Sequence, residues 1–182
     1  MRGTAKAALV AVEYDEFGGG LGERIHAKLY ADLLRASGMD ERYLHYFDDV
    51  PAPVIAVVNL MSMLGLHRAL RGGMVGHFAA AEITTAPSAQ RIEQALRRLG
   101  GSAATTHFFT EHIEADAVHE QVLRHDVIGD LLDREPELAA DVVFGVQATE
   151  LLEARFGAHV LDAWAAGRSS LLRALPDHPG PS

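Results

Sequence analysis

The segment that most constrains the fold runs from His107 to Gln121 and is rich in side chains that bind metals. Within it, His112, Asp116 and His119 are spaced i, i+4 and i+7. On an α-helix these three side chains project from one face, inside a wedge of roughly 60°. Two imidazoles and a carboxylate placed this way form half of a metal site, although a polar face turned to solvent has the same pattern. A metal site therefore requires other parts of the chain to supply further ligands.

The composition limits which metals and partners the chain can bind. It has 182 residues, 48% hydrophobic and 23% charged, which predicts one compact domain over residues 1–175. The formal net charge is −9 and no basic cluster stands out, so electrostatic binding of nucleic acid is not expected. Cysteine is absent, which excludes thiolate ligands, Fe–S clusters and disulfides and fits a cytoplasmic location. Metal ligands must then be imidazole and carboxylate, which suit iron, manganese or zinc.

The sequence predicts an all-α bundle of about seven helices. No segment shows sustained alternation of apolar and polar residues, which would indicate strands. Three glycines, Gly18 to Gly20, interrupt the first helix, and Pro87 is expected to end a later one. The other segments predicted to be helical are 4–17, 21–36, 54–70, 89–99, 126–134 and 137–166, together with the metal-binding candidate capped by Thr105 or Thr106.

Two further expectations concern the membrane and the end of the chain. The most apolar run, Val54 to Leu66, contains Asn59 and Ser62 and is too short to span a bilayer, so no membrane association is expected. Residues 176–182 are rich in proline and are expected to form a disordered tail.

The chain offers further carboxylates and imidazoles outside the segment 107–121. Glu82 lies in an apolar stretch, where a carboxylate either turns to solvent or needs a partner in the core. Glu13 and Glu16 precede the three glycines, and His26 follows them. A regular helix would place Glu16 and His26 about 80° apart, but a segment loosened by glycine can bring both onto one metal centre. Glu13 is more consistent with ordinary surface charge.

Six of these residues together provide three carboxylates and three imidazoles. Three carboxylates nearly balance the charge of two divalent ions, and the small positive remainder suits dioxygen and an anionic substrate. The predicted metal ligands are Glu16, His26, Glu82, His112, Asp116 and His119.

The order and spacing of these residues resemble those of the heme-oxygenase-like diiron oxidases. The segment Glu-Phe-Gly-Gly-Gly-Leu-Gly-Glu-Arg-Ile-His, which begins at Glu16, is similar to the first core helix of that family. The segment Phe-Phe-Thr-Glu-His-Ile-Glu-Ala-Asp-Ala-Val-His, which ends at His119, is similar to the third. The likeness extends over about residues 10–165.

This resemblance implies a heme-oxygenase-like helical fold and a non-haem centre of two iron ions, held by the six residues named above. It also implies that O2 is a co-substrate. The implied reaction is oxidation of a small amine, amino acid or fatty acid by N-oxygenation, desaturation, decarboxylation or C–C cleavage. Members of the family usually have further helices before the first ligand helix, whereas only fifteen residues precede Glu16. Either the start of the chain is misassigned, or a partner chain supplies the missing helices, or the domain is a reduced form. An exposed apolar face left by missing helices would favour a homodimer.

Three other interpretations remain open at this stage. A haem site in the same fold needs one axial histidine and an apolar slot, and the acidic ligand set argues against it. The same ligands would also accept zinc or manganese. The third alternative is a non-enzymatic or partner-dependent helical domain that binds a metal or another protein.

Overall fold

The computed structural model describes residues 1–173 and 175, apart from the side chains of residues 114, 116 and 117. Within this part of the chain the secondary structure is helical and contains no strand, so the prediction of an all-α fold is confirmed. The α-helices are α1 (Gly3–Glu16), α2 (His26–Ala36), α3 (Ala52–Leu66), α4 (Arg71–Arg98), α5 (Ala103–Gln121), α6 (Asp130–Arg134) and α7 (Ala139–Ala165). A π-helical segment, Val122–Gly129, joins α5 to α6 without a turn.

Helix α4 lies at the centre and packs against both α5 and α7. Its approach to α7 depends on residues without side chains. A Cβ atom added to Gly76 would lie 2.0 Å from the Val142 carbonyl oxygen, and one added to Gly145 would lie 1.9 Å from the Gly73 carbonyl oxygen. The two backbones are therefore in direct contact, which fixes how α4 presents its other face to α5.

The main hydrophobic core lies between α1, α4, α7 and the π-helical segment. Leu123 and Val127 of that segment are fully buried against Ala5 of α1 and Val75 of α4. The start of α1 is held to α6 because the Ala5 backbone N–H donates to Asp130 Oδ2 at 2.9 Å. Helix α1 is thereby fixed against the π-helical segment and α6.

Several predicted helix boundaries are wrong. Helix α4 continues through Pro87, because packing on α5 and α7 outweighs the cost of about 3 kcal/mol for a proline inside a helix. Ser102, rather than either threonine, caps α5 by accepting from the Thr105 backbone N–H. The second helix begins at His26 instead of residue 21, since the glycines form 3-10 turns.

Among the described residues, no single helix is long and apolar enough to cross a membrane. Helix α3 reaches that length and hydropathy only together with the segment Arg68–Arg98, to which it is bent by 104°. The tail predicted to be disordered, residues 176–182, lies outside the described residues. The division of the chain into one domain and a tail stays a prediction.

Candidate metal centre

The glycine-rich loop after α1 brings Glu16 and His26 together. Gly18, Gly19 and Gly20 all have positive φ angles, which only glycine adopts without strain. The chain therefore reverses between the last residue of α1 and the first residue of α2. As a result, Glu16 Oε2 lies 2.7 Å from His26 Nδ1.

Helix α5 places His112 beside this pair. The imidazole rings of His26 and His112 have their centroids 4.3 Å apart. His112 Nδ1 lies 2.7 Å from the Phe108 carbonyl oxygen, which can only accept, so Nδ1 carries the proton and Nε2 keeps its lone pair. Ligand atoms of Glu16, His26 and His112 all lie within 4.8 Å of one another. One carboxylate and two imidazoles are the donor set typical of non-haem Fe(II) oxygenases.

A second group of ligand atoms forms around His119, which is 1% exposed. His119 Nδ1 lies 3.0 Å from Glu82 Oε2 of α4, and His119 Nε2 lies 3.2 Å from Asp15 Oδ2 of α1. A neutral imidazole has only one N–H, so one of these two contacts needs a second proton or a metal ion. Ligand atoms of Glu16, Glu82 and His119 lie within 4.8 Å of one another. This buried arrangement of acceptors fits a bound cation.

Glu16 belongs to both groups and is the point where they meet. Burial on its own raises the pKa of the Glu16 carboxyl, but the hydrogen bond from His26 and the electrostatic interactions with the imidazoles of His26, His112 and His119 outweigh it. The net pKa is lower than that of an ordinary glutamate, so Glu16 is ionised at neutral pH. A carboxylate with two oxygens can contact two ions at once.

The structure brings five of the six predicted ligands together, from α1, α2, α4 and α5. The sixth, Asp116, lies in α5, but its side chain is outside the described part of the structure. Asp15 is a further candidate ligand partner that was not predicted from the sequence. It is adjacent to Glu16, and neighbouring residues of a helix point about 100° apart, so helical spacing gave no reason to select both.

A cavity of 290 Å³ opens beside the centre. Its wall includes Asp15, His26 and two residues of the glycine-rich loop. Arg24 and Glu111 also line it, and their side chains form an ion pair of 2.7 Å between the loop and α5. Solvent can therefore approach the centre from the side of the loop.

Fold and site together define a class of protein: a helical protein whose clustered, mostly half-buried carboxylates and imidazoles are suited to non-haem metal ions. The model of a family described as "Iron-containing redox enzyme" matches residues 1–154, and the chain belongs to this family. The family predicted from the sequence is therefore confirmed. Membership of this family indicates iron as the metal for these groups of ligand atoms.

A named enzyme is similar to most of this chain. The chain is 24% identical over 151 residues to the nitrosourea synthase of Streptomyces achromogenes subsp. streptozoticus. The alignment covers 82% of this chain but only 32% of that enzyme. The chain thus spans about a third of the length of the relative it matches.

Proposed function

We propose that the chain is a non-haem diiron oxidase or oxygenase that uses O2 to oxidise a small organic substrate. The observation that carries this proposal is the position of Glu16, which belongs to two adjacent groups of ligand atoms. Two groups with one shared carboxylate are the arrangement expected of a two-metal site. Family membership supports iron as the metal and redox chemistry as the activity.

The described residues would hold the two ions as two sets that share one member. Glu16, His26 and His112 would hold one ion, and Glu16, Glu82 and His119 the other. Asp116, whose side chain is not described, keeps its predicted place as a further ligand. When bound, the iron supplies electrons for the reduction of O2.

The surrounding residues orient the ligands. The Phe108 carbonyl accepts from His112 Nδ1, which turns His112 Nε2 to the centre. Asp15 lies at His119 Nε2 and would keep a proton on that nitrogen while Nδ1 serves as the ligand atom on the side of Glu82. The low exposure of the His119 and Glu82 side chains, 2% and 11%, strengthens the electrostatic contact between them.

Three substrate classes are proposed: amines, amino acids and fatty acids. The reactions proposed for them are N-oxygenation, desaturation, decarboxylation and C–C cleavage. The relative is named for making a nitrosourea, a group that contains an oxidised nitrogen, and this favours N-oxygenation.

Oxygen consumption by the iron-loaded protein tests the proposal. Fe(II) is added anaerobically, and O2 uptake is followed with an electrode after aerobic buffer is mixed in. The wild-type protein should consume O2 faster than the same concentration of Fe(II) in buffer, because the protein ligands would position the iron for reaction with O2. His112→Ala should abolish the excess, whereas His125→Ala, which removes an exposed histidine, should preserve it.

The alternative is a non-enzymatic or partner-dependent metal-binding domain. It predicts that iron binds without any excess of O2 consumption. Zinc or manganese instead of iron in the protein as isolated would favour a zinc or manganese protein, whereas relative affinity would not decide, because Zn(II) binds most such sites more tightly than Fe(II). The homodimer and the cytoplasmic location stay predictions, and light scattering after size-exclusion chromatography would test the first.

A further inference from the structure

A groove of 270 Å³ runs beside the candidate metal centre, on the side of His112. Helix α4 forms its floor, with Thr84, Thr85 and Ala89. Phe108, Phe109 and His112 of α5 form one wall, while Thr149 and Glu153 of α7 form the other. Because His112 belongs to the metal-ligand group and also lines the groove, a molecule bound there lies next to the centre.

The hydroxyl groups in the groove offer hydrogen-bond acceptors. Thr84 Oγ1 donates to the Ala80 carbonyl at 2.8 Å, and Thr85 Oγ1 donates to the Ala81 carbonyl at 2.8 Å. Since each hydroxyl has a single proton, the part left for a ligand is a lone pair. Ligands that carry N–H or O–H donors are favoured over ligands that can only accept.

The hydroxyl proton of Thr149 is also used in a hydrogen bond within the protein. Its hydroxyl donates to the Gly145 carbonyl at 2.7 Å, and His77 Nδ1 lies 2.8 Å from the same oxygen. The Thr149 proton is used by the carbonyl, so His77 must be the donor in the second contact. The Thr149 hydroxyl therefore has no proton left to donate to a ligand in the groove.

The charge and the aromatic surface of the groove favour a cation. Glu153 is exposed, and among the described residues it forms no ion pair. The half-buried rings of Phe108 and Phe109 line the groove and meet edge to face at a centroid distance of 5.2 Å, and the faces of aromatic rings attract cations. No lysine or arginine is among the described residues that line the groove. Arg91 is not among the lining residues, but its guanidinium donates at 2.9 Å to Ser88 Oγ, which does line the groove.

We propose that the groove selects a small organic cation with a protonated amino group and a short apolar body. Its ammonium group pairs with Glu153 and the threonine oxygens, and its apolar part lies along Phe108 and Phe109 toward His112. Carboxylate-ended molecules such as fatty acids are disfavoured, because the groove would place their charge among acceptors. That the bound cation is the substrate rests on the proposed function, whereas the selectivity for cations does not.

Calorimetric titration of n-hexylammonium and of hexanoate into the full chain tests this proposal. The two probes have matched apolar chains and opposite charges. Titrations of metal-free and Zn(II)-loaded protein separate binding from any iron chemistry. We expect n-hexylammonium to bind at least about tenfold more tightly than hexanoate, because only the cation finds oppositely charged and acceptor groups. In ¹⁵N-histidine NMR spectra, n-hexylammonium should also shift the resonances of His112.

Two substitutions on α7 distinguish the groove from the general negative charge of the protein. Glu153→Gln should weaken n-hexylammonium binding by about tenfold or more, since it removes the charge of a charge-assisted hydrogen bond. Glu150→Gln makes the same change of net charge at an exposed residue that is not among those lining the groove, and it should leave binding unchanged.

The possible outcomes are separable. Equal binding of hexanoate, equal loss in both variants, or no shift of His112 would overturn the groove proposal, even if the protein consumes O2. Selective cation binding without O2 consumption would instead overturn the oxidase proposal and leave the cation site intact.

Discussion

The contact between α4 and α7 predicts that Gly145→Ala destabilises the fold. The new Cβ would lie 1.9 Å from the Gly73 carbonyl oxygen and 2.8 Å from the His77 backbone nitrogen. The first distance is about 1.5 Å short of an ordinary contact of 3.4 Å, and the obstacle is backbone that cannot rotate away. Overpacking of this kind costs ~1–3 kcal/mol, and the rigid neighbours place it near 3 kcal/mol. The greater helix propensity of alanine returns about 1 kcal/mol, so the net loss is about 2 kcal/mol.

Gly157→Ala provides the matched control on the same helix. A Cβ at Gly157 has no neighbour within 4 Å, so this substitution should stabilise the protein by up to about 1 kcal/mol. Urea unfolding followed by circular dichroism would measure both free energies of unfolding. Gly145→Ala should lower the melting temperature by about 4–8 °C for a chain of this size. Equal stability of the two variants would refute the account of the helix contact.

Two further predictions concern histidines in the core. Asp15→Asn should weaken metal binding ~10- to 100-fold, because His119 loses its carboxylate partner at Nε2, whereas Glu13→Gln at an exposed site should not. A competition titration with a metal chelator measures this, and equal affinities would exclude the role of Asp15. Burial lowers the pKa of His77 in the folded chain, so on acidification His77 binds a proton in the unfolded chain before it does in the folded chain. The free energy of unfolding therefore falls as the pH decreases below about 6.5. His77→Gln should make this fall shallower between pH 7 and pH 5, and an unchanged slope in urea titrations would contradict the assignment.

The helical class could be predicted because it depends on local pattern, and the set of distant ligands could be predicted because local spacing and a family resemblance both indicated it. The i, i+7 spacing of His112 and His119 fixes their common face as soon as the segment is helical. The three glycines indicated that Glu16 and His26 need not follow regular helical geometry, and the positive φ angles show how the chain reverses there.

The features that could not be predicted depend on tertiary contacts. Pro87 has the local character of a helix end, yet packing against two neighbouring helices keeps α4 continuous. The contact of Asp15 with His119 depends on tertiary structure, which brings the Asp15 carboxylate of α1 to 3.2 Å from His119 Nε2 of α5. The groove beside His112 combines residues of three helices, and no spacing along the chain relates Thr85 of α4 to Glu153 of α7.

The stoichiometry of iron binding tests the central claim most directly. The account predicts two irons per chain after anaerobic titration with ⁵⁷Fe(II), with Mössbauer spectra that show two sites. Glu16→Ala should reduce the affinity of both ions, because Glu16 is common to the two ligand groups, whereas His26→Ala should mainly affect one. A single iron per chain, or two that persist with unchanged affinity in Glu16→Ala, would contradict a centre organised around this shared carboxylate.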